Sequence, residues 1–185
     1  SDTLAGEMID QTLGIGSSFE EDLIFKVFDY KTARYTVAAP FELGAILAGA
    51  SHEEIEYILR FAIPLGIAFQ IKDDIFDFGT GEHIGKPTGI DIREQKLTLP
   101  LIYALQNAPQ AVQKELRYII KNEYDVSHRV QRAIQLVWES GGVKYAQKRM
   151  EILAAEALEI LAQYPDSPAK TSLIGLVSFT MNREK

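Results

Sequence analysis

The run of helix signals along the chain constrains its fold more than any other sequence feature. Apolar residues recur at helical spacing through most of the 185 residues, and no alternating strand pattern of useful length is present. Clusters of glycine, proline and small polar residues interrupt the helices at 14–16, 79–97, 107–109, 141–142 and 164–168. Because helices this apolar do not stand alone, we expect an all-α packed bundle that forms a single all-helical unit over residues 1–185.

Local signals place the boundaries of two of these helices. Ser51 and Glu54 form a capping-box pattern, which opens a long helix that we expect to run to about Phe78. The glycine-rich segment 79–97 that follows is predicted to be a loop. Thr98 then has the position and the side chain of an N-cap for the next helix.

Composition excludes several classes of function. The chain holds 26 acidic and 19 basic residues, a net charge of −7, so it lacks the positive charge that binding nucleic acid requires. It has no cysteine, which rules out disulfides, zinc–thiolate sites, iron–sulfur clusters and thiol catalysis. The lack of cysteine fits a cytoplasmic location. We expect no membrane span, because no apolar stretch approaches the roughly 18 residues that one needs.

Three carboxylates share one stretch of the long helix. Asp73 and Asp77 are i,i+4 neighbours, Gln70 lies on the same stripe, and Asp74 flanks it. No cation on this helix compensates them, and an all-oxygen ligand set favours Mg²⁺ together with a substrate phosphate. The alternative is a solvated acidic face. The apolar neighbours argue against that alternative: Phe69, Ile71, Ile75, Phe76 and Phe78.

Two lysines lie in the glycine-rich segment 79–97. Lys86 and Lys96 are compact cations suited to phosphate oxygens, and the glycines allow the backbone to fold close to a ligand. Carboxylates followed by such lysines indicate a diphosphate site, although a solvated basic loop is the alternative. Lys31, Thr32 and Tyr35 lie within one helical turn and are a second set of phosphate and hydroxyl contacts, or else ordinary helix surface.

Together these residues resemble the polyprenyl synthetase family, the trans-isoprenyl diphosphate synthases. The resemblance runs from end to end, and the composite of residues 69–100 is highly specific. The similar segments, in family order, are Gly6-Glu7-Met8-Ile9-Asp10, Lys31-Thr32, Phe69-Gln70-x-x-Asp73-Asp74-x-x-Asp77, the loop from Gly85-Lys86-Pro87 to Thr98-Leu99-Pro100, and the C-terminal Arg183 and Lys185.

The resemblance implies an isoprenoid-synthase-type helical bundle, dimeric in the full-length protein. It also implies Mg²⁺-assisted 1'-4 condensation of isopentenyl diphosphate with an allylic diphosphate (geranyl, farnesyl or longer) to a linear polyprenyl diphosphate. Any membrane contact would be peripheral, through the lipid product. For the metal, the resemblance implies coordination by Asp73, with support from Asp74 and Asp77 and an outer role for Asp91. The residues implied to bind the diphosphate are Lys31, Lys86, Lys96, Tyr35 and Arg183. Those implied to act in catalysis are Lys31, Thr32, Gln70 and Asp73, with Asp10 as a further candidate.

The chain departs from the family pattern in one large respect. Family members are much longer and carry an earlier Asp-Asp-x-x-Asp motif, whereas the only Asp-Asp pair here is Asp73-Asp74. We therefore expect this to be the C-terminal half of a synthase, truncated or proteolysed, and inactive by itself. Two other interpretations stay open: a non-catalytic regulatory subunit of a heteromeric prenyl synthase, and a class I terpene cyclase.

Overall fold

The fold is known from a computed structural model, which describes residues 21–79 and 88–184. Over these two ranges all the regular structure is helical and there is no strand, which confirms the predicted all-α class. In chain order the helices are α1 (Glu21–Val27), a π-helix (Phe28–Ala38), α2 (Ala39–Leu47), α3 (His52–Asp77), α4 (Ile90–Arg93), α5 (Leu99–Asn107), α6 (Gln110–Asn122), α7 (Ser127–Glu139), α8 (Gly142–Ala162) and α9 (Pro168–Asn182). No helix within these ranges has the length and apolar character needed to cross a membrane.

The capping box at the start of α3 forms as predicted. The main-chain amide of Ser51 donates to Glu54 Oε2 at 2.7 Å, and the amide of Glu54 donates back to Ser51 Oγ at 3.3 Å. These two bonds satisfy main-chain donors that the first turn of a helix leaves without partners. The helix that they open ends at Asp77, one residue before the predicted boundary.

The segment predicted as a loop over 79–97 contains a short helix, α4. Its N-cap is Gly89, whose φ of 76° lies in the left-handed region. A Cβ atom at this position would come within 2.4 Å of Val130 Cγ1, so both backbone conformation and space require glycine here. The part of the segment over 80–87, which includes Lys86, lies outside the described residues.

Contacts along the chain group its residues into two compact units. In the described part, the first unit comprises 25–72 and 149–184, and the second comprises 21–24, 73–79 and 88–148. The core of the first unit includes Phe61, Leu65, Ala157, Leu161 and Val177. The buried apolar side chains of the second include Leu99, Leu101, Leu116, Ile119, Ile120 and Leu136. That residues 1–185 form a single unit therefore stays a prediction.

Candidate active site

Asp74 is buried in the second unit, where it completes the start of α5. Its side chain is 4% exposed, and its Oδ2 accepts the main-chain amide of Leu99 at 3.0 Å. Leu99 is the first residue of α5, and Thr98 occupies the N-cap position without making a side-chain cap bond. The carboxylate of Asp74 thus does what an N-cap side chain does, from another helix. The prediction that Thr98 caps this helix is right about the position and wrong about the side chain.

Asp77 has the same relationship to α4. Its Oδ1 accepts the amide of Ile90 at 2.7 Å, and its Oδ2 accepts the amide of Asp91 at 3.1 Å. The main-chain carbonyl of Asp77 also accepts the amide of Gly89 at 2.8 Å. Hydrogen bonds to the charged form of a carboxylate stabilise that form. Asp77 therefore binds three consecutive main-chain amides, those of residues 89, 90 and 91.

The sequence offered no compensation for these carboxylates on their own helix. Three main-chain amides from further along the chain bind Asp74 and Asp77. An argument confined to side chains of one helix could not find them, because the donors lie 13 to 25 residues further along the chain.

Asp91 and Lys96 form an ion pair next to Asp77. Lys96 Nζ lies 3.7 Å from Asp91 Oδ1 and also contacts the carboxylate of Glu94. Burial, and then the like charge of Asp77, raise the pKa of Asp91 from 3.8 to about 6, although Lys96 opposes the shift. The protonated form of Asp91 is therefore favoured more than it is in water, mainly by burial.

Asp73 is half-buried near the C-terminal end of α3, in the second unit. Within 21–79 and 88–184, no three His, Cys, Asp or Glu side chains form a cluster that could hold a metal ion. Metal coordination by Asp73, Asp74, Asp77 and Asp91 therefore stays a prediction. Asp10, Lys86 and Lys185, which the resemblance also brought in, lie outside the described residues.

The first unit brings together Thr32 and Gln70, which are 38 residues apart in sequence. Thr32 Oγ1 donates to Gln70 Oε1 at 2.8 Å. Gly66, one turn before Gln70, permits the close approach of the two helices, because a Cβ there would come within 2.6 Å of Ala33 Cα. The sequence reasoning missed this role of Gly66, although a glycine inside an apolar helix is a signal of close packing.

The remaining predicted residues of the π-helix differ in exposure. Lys31 is half-buried, whereas the side chain of Tyr35 is 68% exposed. Both belong to the π-helix that follows α1 directly, where the sequence predicted ordinary helix. Helical stretches with i→i+5 hydrogen bonds are rare in proteins, and those that occur often lie at functional sites.

Arg183 follows the last residue of α9 and contacts α3. Its Nη2 donates to the main-chain carbonyl of Phe69 at 3.1 Å, and its guanidinium carbon lies 3.9 Å from the centre of the Phe69 ring. Lys72 is close by: burial, and then the charge of Arg183, lower the pKa of Lys72, while Glu184 opposes the shift. The C-terminal residues are thereby attached to the turn of α3 that carries Gln70.

The fold of this chain is that of the isoprenyl diphosphate synthases. It superposes on a decaprenyl diphosphate synthase from Rhodobacter capsulatus with a TM-score of 0.89 and 30% identity, covering 100% of this chain and 57% of that one. It also matches a geranylgeranyl pyrophosphate synthase from Corynebacterium glutamicum, complexed with isoprenyl diphosphate and magnesium, with a TM-score of 0.86 and 29% identity, covering 99% of this chain and 52% of that one.

Sequence comparison gives the family. The chain is 35% identical over 164 residues to the chloroplastic solanesyl-diphosphate synthase 2 of Oryza sativa subsp. japonica. The matched residues make up 88% of this chain and 39% of that protein. A family profile described as Polyprenyl synthetase matches residues 1–137. The chain belongs to the polyprenyl synthetase family, as its motifs predicted. It spans 39% of the rice relative and slightly more than half of the two solved structures.

Proposed function

We propose that this chain is the part of a Mg²⁺-dependent trans-prenyltransferase that binds the allylic diphosphate. The reaction is the condensation of isopentenyl diphosphate with an allylic diphosphate to a linear polyprenyl diphosphate. The observation that carries the proposal is that main-chain amides fix two carboxylates of α3. Asp77 accepts amides that precede Lys96 in the sequence, and Asp74 accepts an amide that follows it. Membership of the polyprenyl synthetase family supports it.

The acidic residues of α3 and α4 suit a hard divalent cation. Carboxylate oxygens are the ligands that Mg²⁺ prefers. The pKa of Asp91 is raised first by burial and then by the like charge of Asp77, and a cation would relieve the second of these effects. We assign direct coordination to Asp73 and an outer role to Asp91. Asp74 and Asp77 support the site by fixing the starts of α5 and α4. A bound Mg²⁺ would stabilise the charge that develops on the departing diphosphate.

The cationic residues complete the diphosphate site. We assign Lys31, Lys86 and Lys96 to the diphosphate oxygens, as the resemblance implies. Lys96 suits this role because its ion pairs hold its ammonium group beside the carboxylates of Asp91 and Glu94. We leave Tyr35 in a minor contact role, since its side chain is mostly exposed.

Thr32 and Gln70 would face the reacting carbon. The hydroxyl of Thr32 donates to Gln70 Oε1, which fixes the orientation of the Gln70 amide. Oriented oxygen dipoles of this kind stabilise positive charge that develops on a substrate, provided that they are in place before the reaction. The pair therefore suits the stabilisation of an allylic carbocation. The homodimer and the isopentenyl diphosphate partner are proposed from the resemblance alone, and the cytoplasmic location from the lack of cysteine.

A chimera tests this function. This chain would replace the matching part of the Rhodobacter capsulatus synthase, and the product would be analysed after incubation with Mg²⁺, isopentenyl diphosphate and farnesyl diphosphate. We expect a linear polyprenyl diphosphate, and a decrease in kcat of about a hundredfold or more in the Asp73→Asn chimera. Asp22→Asn, which changes an exposed carboxylate of α1, is the matched control and should retain activity.

Each other outcome contradicts part of the proposal. A folded chimera without elongation would favour a regulatory subunit, and a cyclised product would favour a terpene cyclase. Equal activity in the Asp73→Asn and Asp22→Asn chimeras would contradict the role of Asp73. The chain by itself is expected to give no sustained elongation in the same assay.

A further inference from the structure

We infer that Arg183 is a positioning residue for the Thr32–Gln70 pair and not a ligand of the diphosphate. The inference rests on the proposed function and changes the role that the family resemblance implied for Arg183. It is drawn from contacts within the first unit, where Arg183, Phe69, Thr32 and Gln70 all lie.

Two donor groups of Arg183, Nη2 and Nε, are directed into the protein. Nη2 donates to the Phe69 carbonyl, the guanidinium plane lies over the Phe69 ring, and Nε is shielded from solvent. A guanidinium that binds a diphosphate presents its planar fork to the phosphate oxygens. Here Nη2 is bound by the main chain and the guanidinium carbon lies over an aromatic ring, a geometry that favours arginine because lysine lacks the planar, delocalised cation.

The attached residue, Phe69, directly precedes Gln70. Phe69 is held from one side of α3 by Arg183, and Gln70 is held by the hydroxyl of Thr32. Two consecutive residues of one helical turn are thus fixed by contacts from outside the helix. Removal of Arg183 would remove the contact with Phe69 and allow this turn of α3 to move. The orientation of the Gln70 side-chain amide would then change.

The side-chain amide of Gln70 reports the proposed role directly by NMR. Its signals, assigned by their loss in Gln70→Leu, should shift in Thr32→Val, which removes the hydroxyl donor. We expect Arg183→Ala to shift them in the same direction, and Arg183→Lys to do so as well, since lysine cannot reproduce the stacked fork. Glu184→Gln changes the neighbouring exposed charge and is the control; it should leave the Gln70 signals in place.

Amide hydrogen exchange provides a second measurement. Arg183→Ala should accelerate exchange over residues 69–72 by about tenfold or more, with no change in α8. Phe69→Leu removes the aromatic face and should have the same effect, and the double variant should add little to either single one. If Arg183→Ala does not fold, Arg183→Lys and Phe69→Leu still decide the question. Unchanged Gln70 signals and unchanged exchange in the folded variants would overturn the inference.

Binding of inorganic pyrophosphate with Mg²⁺ separates this inference from the proposed function. A positioning role for the Thr32–Gln70 pair, which faces the reacting carbon, predicts that Arg183→Ala and Arg183→Lys both retain the affinity for pyrophosphate. Loss of a direct ligand would weaken binding in Arg183→Ala, and lysine would restore part of it. A decrease of about tenfold or more in folded Arg183→Ala, partly restored in Arg183→Lys, would therefore overturn the inference. If the unaltered chain binds no pyrophosphate, the proposed function fails, and the NMR and exchange measurements still decide the role of Arg183.

Discussion

The carboxylate of Asp74 accepts the main-chain amide of Leu99 at 3.0 Å, although the two residues are 25 positions apart. The bond is buried, and it supplies the first turn of α5 with the acceptor that Thr98 does not provide. An aspartate to which the resemblance assigns a part in metal binding is thus a helix cap in the structure. Its substitution should therefore affect folding as well as any ligand binding.

The first prediction concerns the stability of Asp74 variants. Asp74→Ala leaves the buried amide of Leu99 without an acceptor, and the free energy of unfolding should fall by about 1–3 kcal/mol. Asp74→Asn keeps a carbonyl acceptor and should cost less. Urea denaturation at neutral pH without divalent cations measures both, with the exposed Asp22→Ala as control. An unchanged midpoint in Asp74→Ala would show that the bond contributes nothing.

A second prediction concerns Asp77, whose two oxygens accept the amides of Ile90 and Asp91. Asp77→Ala should accelerate hydrogen exchange of these two amides by about tenfold or more, because α4 loses its cap. Asp77→Asn, which has one acceptor oxygen, should accelerate the exchange of one amide more than the other. Equal protection in the unaltered chain and in Asp77→Ala would contradict the observed hydrogen bonds.

The raised pKa of Asp91 predicts a specific pH dependence of stability. The folded chain holds the proton of Asp91 up to about pH 6, whereas the unfolded chain releases it near the ordinary value of 3.8. The folded state thus binds more protons in this window, so the contribution of Asp91 to stability is largest below the window and declines as the pH rises through it.

Comparison with Asp91→Asn isolates this contribution from that of the other carboxylates. As the pH rises from about 4 to about 6.5, the unfolding free energy of the unaltered chain should fall relative to that of Asp91→Asn. This window roughly spans the pKa shift of Asp91. The measurement is a series of urea titrations with a chelator present. A constant difference across the series would mean that Asp91 titrates normally.

The close approach at Gly66 gives a fourth prediction. In Gly66→Ala the new Cβ would overlap Ala33, which must move away, and the unfolding free energy should fall by about 1–3 kcal/mol. The bond from Thr32 to Gln70 should lengthen, and the Gln70 amide signals should shift with it. Gly175→Ala is the matched control: no atom lies within 4 Å of its added Cβ, so α9 should gain up to about 1 kcal/mol. Equal stabilities of the two variants would contradict the packing at Ala33.

Most of the fold could be predicted from the sequence, because it depends on local signals. The capping box at Ser51 places the start of α3, and its predicted end at about Phe78 lies one residue beyond the observed end at Asp77. The predicted turn clusters at 107–109, 141–142 and 164–168 coincide with the breaks after α5, α7 and α8. The π-helix carries no comparable local signal, because its hydrogen-bond pattern is not encoded by apolar spacing. The short helix α4 was missed because a glycine N-cap looks the same as a loop glycine.

Less of the candidate site could be predicted. Residue types and spacing identified the carboxylates of α3, Thr32 and Gln70 as functional candidates. They did not reveal that main-chain amides bind Asp74 and Asp77, that Gly66 admits Ala33, or that Arg183 contacts Phe69. These are all contacts between residues far apart in sequence, and side-chain patterns along one helix hold no information about donors from another segment.

Titration of the chain with inorganic pyrophosphate, with and without Mg²⁺, tests the central claim most directly. The account predicts binding that requires Mg²⁺ and that weakens by about tenfold or more in Asp73→Asn, while Asp22→Asn binds as the unaltered chain does. Binding that is independent of Mg²⁺, or that is equal in Asp73→Asn and the unaltered chain, would contradict it.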